Sequence, residues 1–339
     1  QLDFCLGTRA VDRLPEILAT VRSRGTQILC TDEDAYHDIG RPFRTSGIQA
    51  WVPVIRGCNN FCSYCIVPHV RGRERSRPPA DVVSDVRDLA AQGVREVTLL
   101  GQNIDAYGHD LGMENGLARL LDLLCDTSKT PRRIRFVTSH PKDITDTLLR
   151  SVQQNDPVCS QLHMPAQSGA NRILTAMKRG YSVEKYRDIV RRAYEIIDGL
   201  DIVSDFIVGF PGETEADFRM TADLMRDCEF QKSHIFKYSP RPGTRAADLQ
   251  DDVPAEVKAE RNQELLRIQR DISTERNQRM EGRSVEVLAE RYDEKYRNWI
   301  GRTRSGRITA FKGNVEEVGS LVQVSVERST ELTLFGTVI

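Results

Sequence analysis

The stretch RGCNNFCSYCIVPHVRG, residues 56–72, contains three cysteines, Cys58, Cys62 and Cys65, in the spacing C-x3-C-x2-C. A structural zinc site needs four ligands, and His69 is the nearby candidate for the fourth. Three thiolates instead suit three irons of a [4Fe–4S] cube, whose fourth iron stays open to a ligand from outside the protein. The spacing therefore favours an iron–sulfur site, and zinc with His69 remains the alternative.

The composition is typical of a soluble globular protein. The chain has 339 residues, of which 39% are hydrophobic and 29% charged, and its net charge is −1. Its apolar runs are too short to span a membrane, and its first residues lack a secretory pattern. Because the chain begins with Gln1, we predict a fragment or a processed form. The other cysteines are widely separated, which predicts a reducing cytoplasm rather than a disulfide scaffold: Cys5, Cys30, Cys125, Cys159 and Cys228.

Apolar segments alternate with segments of helical periodicity over most of the chain. The predicted strands are 51–57, 96–103, 133–141, 161–169, 201–214 and 233–244. The predicted helices are 78–93, 115–127, 145–154, 182–200 and 215–228. Six strand–helix repeats of this α/β kind predict a parallel, open (β/α)6 barrel with right-handed crossovers.

The predicted strands end in polar residues or glycine. These ends are Gly101-Gln102-Asn103, Ser139-His140, Gln167-Ser168-Gly169, Gly209 and Tyr238-Ser239. Polar residues and glycine are also common in turns, so no single strand end indicates a ligand site. The carboxyl ends of barrel strands surround one cavity, however, and the set together predicts a ligand site beside the three cysteines.

The motif C-x3-C-x-[FY]-C, with Tyr64 before Cys65, resembles the cluster loop of radical S-adenosylmethionine (SAM) enzymes. The resemblance implies a radical-SAM partial TIM barrel. It also implies that the open iron binds the amino and carboxylate groups of SAM, and that an electron from the cluster cleaves the sulfonium to a 5′-deoxyadenosyl radical.

Six further segments resemble the methylthiotransferases of that superfamily in order and spacing. They are GCNNFCSYCIVPHVRGRERSRP (57–78), LLGQNIDAYG (99–108), RFVTSHPKD (135–143), QSGANRIL (167–174), DFIVGFPGET (205–214) and KYSPRPGT (237–244). The GQN and TSHP segments are most similar to the branch that makes 2-methylthio-N6-dimethylallyladenosine in bacterial tRNA. The branches acting on threonylcarbamoyladenosine or on a ribosomal-protein aspartate remain alternatives, as does a non-catalytic RNA-binding metalloprotein.

The family resemblance implies the reaction and its partners. Sulfur and a methyl group are added at C2 of N6-isopentenyladenosine at position 37, beside the anticodon of tRNA. One SAM supplies the methyl group and another the radical. The expected electron donor is a flavodoxin or ferredoxin, and we expect a cytoplasmic monomer.

The resemblance also implies roles for particular residues. Cys58, Cys62 and Cys65 would hold the cluster. The expected SAM contacts are Tyr64, Gly101, Gln102, Asn103, Gln167, Ser168, Arg179, Asp205 and Gly209. Arg179 would pair with the SAM carboxylate; its alternative is a solvated charge at a helix end. Gly209 would allow adenosine to approach the backbone closely. His140 is interpreted as a turn residue and not as catalytic.

Family members carry an additional N-terminal domain whose three cysteines hold a second [4Fe–4S] cluster. We expect residues 1–45 to be the tail of that domain, 46–275 the radical SAM core and 276–339 a TRAM domain. Cys5, Cys30, Cys125 and Cys228 are interpreted as core residues. The expectation is that this chain binds one cluster and cleaves SAM but does not insert sulfur.

The last segment, 276–339, has short strands separated by glycine turns. It resembles the TRAM domain, a small antiparallel OB-like barrel that binds RNA. Residues 276–312 contain ten Arg or Lys against five Asp or Glu. We expect Trp299 and Phe311 to fill the barrel. Arg302, Arg304 and Arg307 are predicted to contact RNA phosphates.

Overall fold

The first elements form a small βαβ unit. The computed structural model describes residues 2–7, 10, 13–30, 47–126 and 129–339. β1 (Phe4–Leu6) and β2 (Ile28–Cys30) are parallel and flank α1 (Leu14–Arg24). Cys30 is buried as predicted, but Cys5 is exposed, because it lies on the face of β1 opposite to α1. The expected domain boundary at 45 lies outside the described residues.

A half-barrel of six parallel strands follows, and it confirms the predicted (β/α)6 architecture. The strands of this part, with one short hairpin (β4 and β5), are β3 (Gln49–Pro53), β4 (Ile55–Arg56), β5 (Arg75–Ser76), β6 (Glu96–Leu100), β7 (Arg133–Phe136), β8 (Gln161–His163), β9 (Asp201–Val208) and β10 (Lys232–Lys237). Two parallel sheets, β3-β6-β7 and β8-β9-β10, are joined by a bridge between Ile134 and Val158. The barrel therefore stays open between its edge strands, β3 and β10.

Helices accompany the strands of this half-barrel, and the longer ones pack against its core. They are α2 (Val67–Arg71), α3 (Pro79–Ala91), α4 (Gly116–Cys125), α5 (Asp146–Gln154), α6 (Asn171–Ala176), α7 (Val183–Ile196), α8 (Glu215–Cys228) and α9 (Ala255–Gln278), with 3-10 turns at Ile104–Ala106, His109–Leu111 and Arg245–Asp248. Local sequence begins several of them: Thr214 and Asp217 form a capping box on α8, and the Ser182 side chain caps α7.

Strand residues alternate between the helix-covered core and the barrel interior. In β9, Ile202, Phe206 and Val208 pack into the core beneath the helices. Asp205 and Ile207 belong to the opposite face, which lines the interior. This alternation decides which polar residues of each strand can reach a ligand.

The last domain is a closed antiparallel-type barrel, as predicted. Its strands are β11 (Ser284–Asp293), β12 (Asn298–Thr303), β13 (Ile308–Lys312), β14 (Leu321–Ser329) and β15 (Thr333–Val338), in the order β11-β12-β13-β15-β14. Phe311 is buried in its core and Trp299 packs against that core, in agreement with their predicted packing role.

The turn 302–307 of this small barrel closes the N-terminal end of the half-barrel. Arg135 of β7 donates to the carbonyl oxygens of Thr303 and Arg304 at 2.8 and 2.7 Å. Gly306 lies so close to Gln161 that a Cβ atom there would be 2.1 Å from its amide nitrogen. The two domains are thus joined at the end of the half-barrel that is opposite to the cysteines.

Candidate active site

The cluster loop, residues 58–65, follows β4 at the C-terminal mouth of the half-barrel. The backbone N–H of Cys58 donates to Gly72 O at 3.1 Å, and that of Cys65 donates to Cys62 O at 3.0 Å. Burial is the main cause that raises the pKa of the Cys58 thiol to about 11, and Glu74 and the other two cysteines act in the same direction. Burial also raises the pKa of Cys65. Because neighbouring thiols oppose the ionisation of Cys58 and Cys65, the loop favours a cationic group that stabilises the thiolates.

Among the described residues, no fourth side chain joins the three thiols in a compact cage. The one group of three potential ligand atoms within 4.8 Å of one another is His163, Asp205 and His234. At least one pair of the cysteine sulfurs is therefore farther apart than 4.8 Å, which is wider than a single zinc ion requires at about 2.3 Å per Zn–S bond. His69 lies exposed on α2. This spacing favours a multi-iron cluster over zinc bound with His69.

The end of β6 positions the cluster loop. The Gln102 side chain accepts a hydrogen bond from Gly57 N at 2.6 Å, immediately before Cys58. Gly101 has no room for a side chain, because a Cβ atom would be 2.5 Å from Ile55 Cγ2. Both residues were predicted as SAM contacts. The structure gives each of them a contact with the strand and loop that carry the thiols.

Arg179 is buried beside the second cysteine. Its Nη1 lies 3.4 Å from both Cys62 Sγ and Tyr64 Oη, its Nε donates to Tyr181 Oη at 3.0 Å, and its Nη2 donates to Pro165 O at 3.0 Å. Burial disfavours its charge, but the two tyrosines and Cys62 favour it, and its pKa lies well above the usual value. The side chain is 5% exposed, so the alternative of a solvated helix-end charge is wrong.

Two buried polar atoms at neighbouring strand ends have no hydrogen-bond partner among the described residues, Asn103 Oδ1 and His140 Nε2. The Asn103 amide nitrogen donates to Asp143 at 2.9 Å, which directs its oxygen elsewhere. Burial lowers the pKa of His140 to about 2, so its imidazole is neutral. His140 Nδ1 is 3.4 Å from the donor Lys142 N, which leaves Nε2 as the ring's N–H donor. Buried polar atoms usually have partners, so these two suit a polar ligand.

Gln167 and Ser168, at the end of β8, are held by the backbone. Gln167 has a positive φ of 68°, and its N–H and C=O pair with Asp205 O and Ile207 N at 2.8 and 3.0 Å. Ser168 is buried and accepts a hydrogen bond from Ala170 N at 3.2 Å. The predicted SAM contacts here remain predictions, and the hydroxyl of Ser168 already has a structural role.

Asp205 lies between two histidines in the barrel interior. Its Oδ1 is 3.1 Å from His163 Nε2 and 3.0 Å from His234 Nδ1. Burial opposes its ionisation, but these two hydrogen bonds lower its pKa to about 2. Thr138 N donates to His163 Nδ1 at 3.3 Å, so His163 Nε2 carries the proton and donates to Asp205. That protonation is incompatible with a metal ion bound at Nε2, and the group is a hydrogen-bond relay.

Gly209 is required for a reason other than the predicted approach of adenosine. It has a φ of +70°, and a Cβ atom there would lie 2.3 Å from Cγ of Lys258. Its N–H donates to Glu213 at 2.7 Å. The space beside this glycine is therefore filled by the stem of Lys258.

These observations fit a three-thiolate [4Fe–4S] cluster with SAM. Within the described part of the chain, the thiols are grouped without a compact fourth ligand and two buried polar atoms lack partners, and Arg179 places a cation at one sulfur. A SAM molecule offers an amino group, a carboxylate and ribose hydroxyls to such atoms.

Comparison with known proteins agrees with this geometry. The chain matches the Radical SAM superfamily over residues 52–225 and the TRAM domain over residues 278–339. It is 43% identical over 345 residues to a tRNA-2-methylthio-N(6)-dimethylallyladenosine synthase of Carboxydothermus hydrogenoformans, covering all of this chain and 77% of the relative. The synthase of Caldicellulosiruptor saccharolyticus is 42% identical over 340 residues, covering 100% and 72%. This chain belongs to that family of radical SAM methylthiotransferases.

Solved structures show the same fold for the methylthiotransferase's half-barrel. The radical SAM methyltransferase TsrM from Kitasatospora setae superimposes with a TM-score of 0.51 at 19% identity, over 59% of this chain and 39% of its own. Coproporphyrinogen III oxidase from Escherichia coli gives 0.50 at 18% identity, over 67% and 54%. In the part of the methylthiotransferase that the structure describes, no helix is long and apolar enough to cross a membrane.

The predicted RNA contact of Arg307 is wrong. Its guanidinium is 8% exposed and binds both oxygens of Asp201 at 2.7 Å, inside the domain interface. Arg304 binds Asp156 and Val158 O, and Arg302 pairs with Glu290, although both stay partly exposed. All three arginines lie in the segment 302–307 at the closed end of the half-barrel. The sequence shows that they are close together, but it does not show which carboxylate each one contacts.

The structure adds residues that the sequence did not single out. His163 and His234 flank Asp205, and Tyr181 contacts Arg179. His163 and His234 share the interior face of their strands with Asp205, since His163 pairs with Val203 and His234 with Asp205 in the sheet. Strand alternation counted from Asp205 could have identified the two histidines.

Stability should depend on pH through Asp105. Burial raises the pKa of the Asp105 carboxyl to about 7, although the backbone N–H of His140 and the hydroxyl of Ser139 donate hydrogen bonds to it and oppose the rise. The folded state holds the proton more tightly than the unfolded state, so this contribution is present below pH 4 and is lost as pH rises through 7. At about 1.4 kcal/mol per pKa unit, the loss is on the order of 4 kcal/mol.

Denaturant unfolding between pH 5 and 8 measures how the free energy of unfolding changes with pH. The Asp105→Asn variant should lose this pH dependence, whereas Asp248→Asn, at an exposed position, should keep it. Equal slopes in Asp105→Asn and the parent would contradict the assignment.

Proposed function

We propose that this chain carries the catalytic core of a methylthiotransferase that adds a methylthio group to C2 of N6-isopentenyladenosine at position 37 of tRNA. The observation that carries the proposal is the cluster loop, where three thiols lie beside the polar strand ends and, as far as the structure describes the chain, have no compact fourth side-chain ligand. The names of the relatives support this substrate over threonylcarbamoyladenosine or a ribosomal-protein aspartate.

Each group of residues has a task in this proposal. Cys58, Cys62 and Cys65 hold the cluster. When bound, the cluster and SAM supply a 5′-deoxyadenosyl radical. Asn103 and His140 offer the unpartnered oxygen and N–H to SAM, and Asp205 fixes the histidines of the barrel interior. The remaining proposed SAM contacts are Tyr64, Gly101, Gln102, Gln167, Ser168 and Arg179.

The closed end of the half-barrel protects its interior from water. Turn 302–307 covers the N-terminal ends of the strands, so substrate must enter from the mouth or from the opening between β3 and β10. A radical at the mouth reaches C2 of adenine only when the base leaves its stack, so we propose that the target nucleotide is extruded from the anticodon loop.

The TRAM domain binds the tRNA, and partly exposed Arg302 and Arg304 remain candidates for phosphate contacts.

The proposal includes partners and further parts of the enzyme. We expect a flavodoxin or ferredoxin as electron donor, a monomeric enzyme and cytoplasmic tRNA as substrate. A second [4Fe–4S] cluster is expected in an N-terminal domain of which residues 1–45 are the tail, with residues 46–275 as the radical core and 276–339 as the TRAM domain.

Replacing any one of the three clustered cysteines by alanine tests the cluster assignment. The chain reconstituted without oxygen should bind about four irons, and each variant should lose most of them because a cube needs its three thiolates. The matched control is Cys125→Ala on α4, whose thiol only packs against the core and should leave the iron content unchanged.

The readouts are iron and sulfide content and 5′-deoxyadenosine release after chemical reduction. A colourless protein with one zinc would support the non-catalytic metalloprotein instead. About eight irons would mean that a second cluster site is present in this chain.

A further inference from the structure

The outer side of the cluster loop carries an exposed aromatic side chain. Phe61 lies between Cys58 and Cys62, and 44% of it is exposed. Its φ is +46°, a left-handed conformation that is uncommon for a bulky residue. An isolated exposed phenylalanine is ordinary on a protein surface. This one keeps an unfavourable backbone conformation directly beside Cys62, and much of its side chain is exposed.

A basic segment runs directly alongside. Residues 69–75, HVRGRER, follow the cluster loop, and His69, Arg71, Arg73 and Arg75 are exposed. The single acid, Glu74, is buried and turned inward, where it accepts hydrogen bonds from Asn59 N and Nδ2 at 2.9 and 3.1 Å. The segment therefore presents positive charge at the barrel mouth.

Phe61 and Arg73 are held in register by the backbone beneath them. The guanidinium carbon of Arg73 lies 6.0 Å from the centre of the Phe61 ring. β4 pairs with β5, and a Cβ atom on Gly57 would lie 2.1 Å from Arg73 O, so the two segments touch. Backbone contacts and the hydrogen-bonded Asn59–Glu74 pair hold the two segments together, so the backbone positions of Phe61 and Arg73 keep their spacing without a ligand.

We propose that Phe61 and Arg73 form a stacking platform for an unpaired nucleotide adjoining the target adenosine, with Arg71 binding a neighbouring phosphate. The inference rests on the proposed function. Aromatic rings and guanidinium planes are the surfaces on which single-stranded RNA bases stack, and exposed arginines bind phosphates. The domain interface strengthens this choice, because Arg307 and the turn around it lie at the opposite end of the half-barrel. RNA contacts at the mouth must come from the mouth itself.

The test compares Phe61→Leu, which removes the aromatic face, with Phe61→Tyr, which keeps it. The full-length, cluster-loaded enzyme is titrated with an anticodon stem-loop RNA carrying N6-isopentenyladenosine, with 2-aminopurine in place of one loop base next to it. Phe61→Leu should weaken binding by about 5- to 100-fold and lose the stacking-dependent quenching of 2-aminopurine. Phe61→Tyr should retain both. Arg71→Gln, which removes the phosphate contact, should reduce the slope of log K against log salt by about 1, and Arg73→Gln, which removes part of the stacking surface, should weaken binding.

Several results would overturn the inference. One such result is that Phe61→Leu keeps the affinity and the 2-aminopurine quenching of the parent enzyme. Another is that Phe61→Tyr loses as much affinity as Phe61→Leu. If Phe61→Leu binds RNA normally but lowers the unfolding temperature of the full-length chain, the Phe61 side chain is covered by another part of the protein. If Phe61→Leu loses iron, Arg73→Gln decides the question, since its side chain lies outside the cluster loop. If the parent enzyme itself neither binds nor modifies the RNA, the proposed function fails first, whereas a competent parent with an unaffected Phe61→Leu removes only this inference.

Discussion

Replacing Arg179 by methionine should lower the midpoint potential of the cluster held by Cys58, Cys62 and Cys65. The guanidinium lies 3.4 Å from Cys62 Sγ in a buried environment, where a cation favours the more negative, reduced cluster. Hydrogen bonds to charged groups contribute about 1.5–3 kcal/mol. If Arg179 stabilises the reduced cluster over the oxidised cluster by this free energy, its loss should lower the midpoint potential by about 60–130 mV. The conversion is 59 mV per tenfold change in the equilibrium constant for one electron.

Redox titration followed by electron paramagnetic resonance measures this shift independently of turnover. Arg179→Lys keeps the charge but loses the planar fork, so it should restore part of the potential. The matched control is Tyr181→Phe, because that hydroxyl contacts Arg179 and the backbone oxygens of Pro165 and Ala166 rather than a cysteine. An unchanged potential in Arg179→Met, with iron content preserved, would show that the arginine serves SAM or the fold alone.

Replacing Arg307 by alanine should lower the free energy of unfolding by about 3–5 kcal/mol, which is the usual cost of breaking a buried ion pair from one side. Asp201 is buried and binds Arg307 at 2.7 Å and Arg276 at 2.8 Å. Arg307 also donates to Asn277 at 2.8 Å and to Arg276 O at 3.0 Å. Its removal leaves Asp201 and Asn277 with unsatisfied groups between the domains.

The control for this variant is Arg302→Ala, which lies five positions earlier in the chain and is 41% exposed in its side chain. Its ion pair with Glu290 is partly exposed, so the substitution should cost about 1 kcal/mol. Urea unfolding can be followed in each domain separately in variants that keep only one of the two tryptophans, Trp51 in β3 or Trp299 in β12. Equal effects of the two substitutions would contradict the buried interface.

A double-mutant cycle identifies the partner of Arg307. Asp201→Asn and Arg307→Ala should be strongly non-additive, since the residues share two hydrogen bonds. Independent effects would place the contribution of Arg307 in its contacts with Asn277 and Arg276 instead.

The sequence predicted the architecture because its signals are local. Apolar runs, helix-starting residues and glycine turns each act over a few positions, and the observed α8, Glu215–Cys228, coincides with the predicted span. The cysteine spacing is local too, and for that reason the cluster loop could be assigned from seventeen residues, 56–72.

The sequence did not reveal which charges meet across the fold. Arg307 and Asp201 are 106 positions apart, and Arg179 and Cys62 are 117 apart. Nothing in either segment indicates the partner. The arginines of turn 302–307 therefore looked like a solvated RNA-binding cluster, although the structure uses the turn to close the barrel.

By itself, the sequence determined the (β/α)6 order, the small β-barrel after it and the loop that carries three thiols. Only the tertiary structure decided that Arg179 contacts a cysteine, that Asp205 joins two histidines and that Arg307 is buried between domains. The physical reason is that secondary structure and loop chemistry depend on near neighbours. The state of a charged side chain depends instead on the solvent and countercharge that distant segments bring to it.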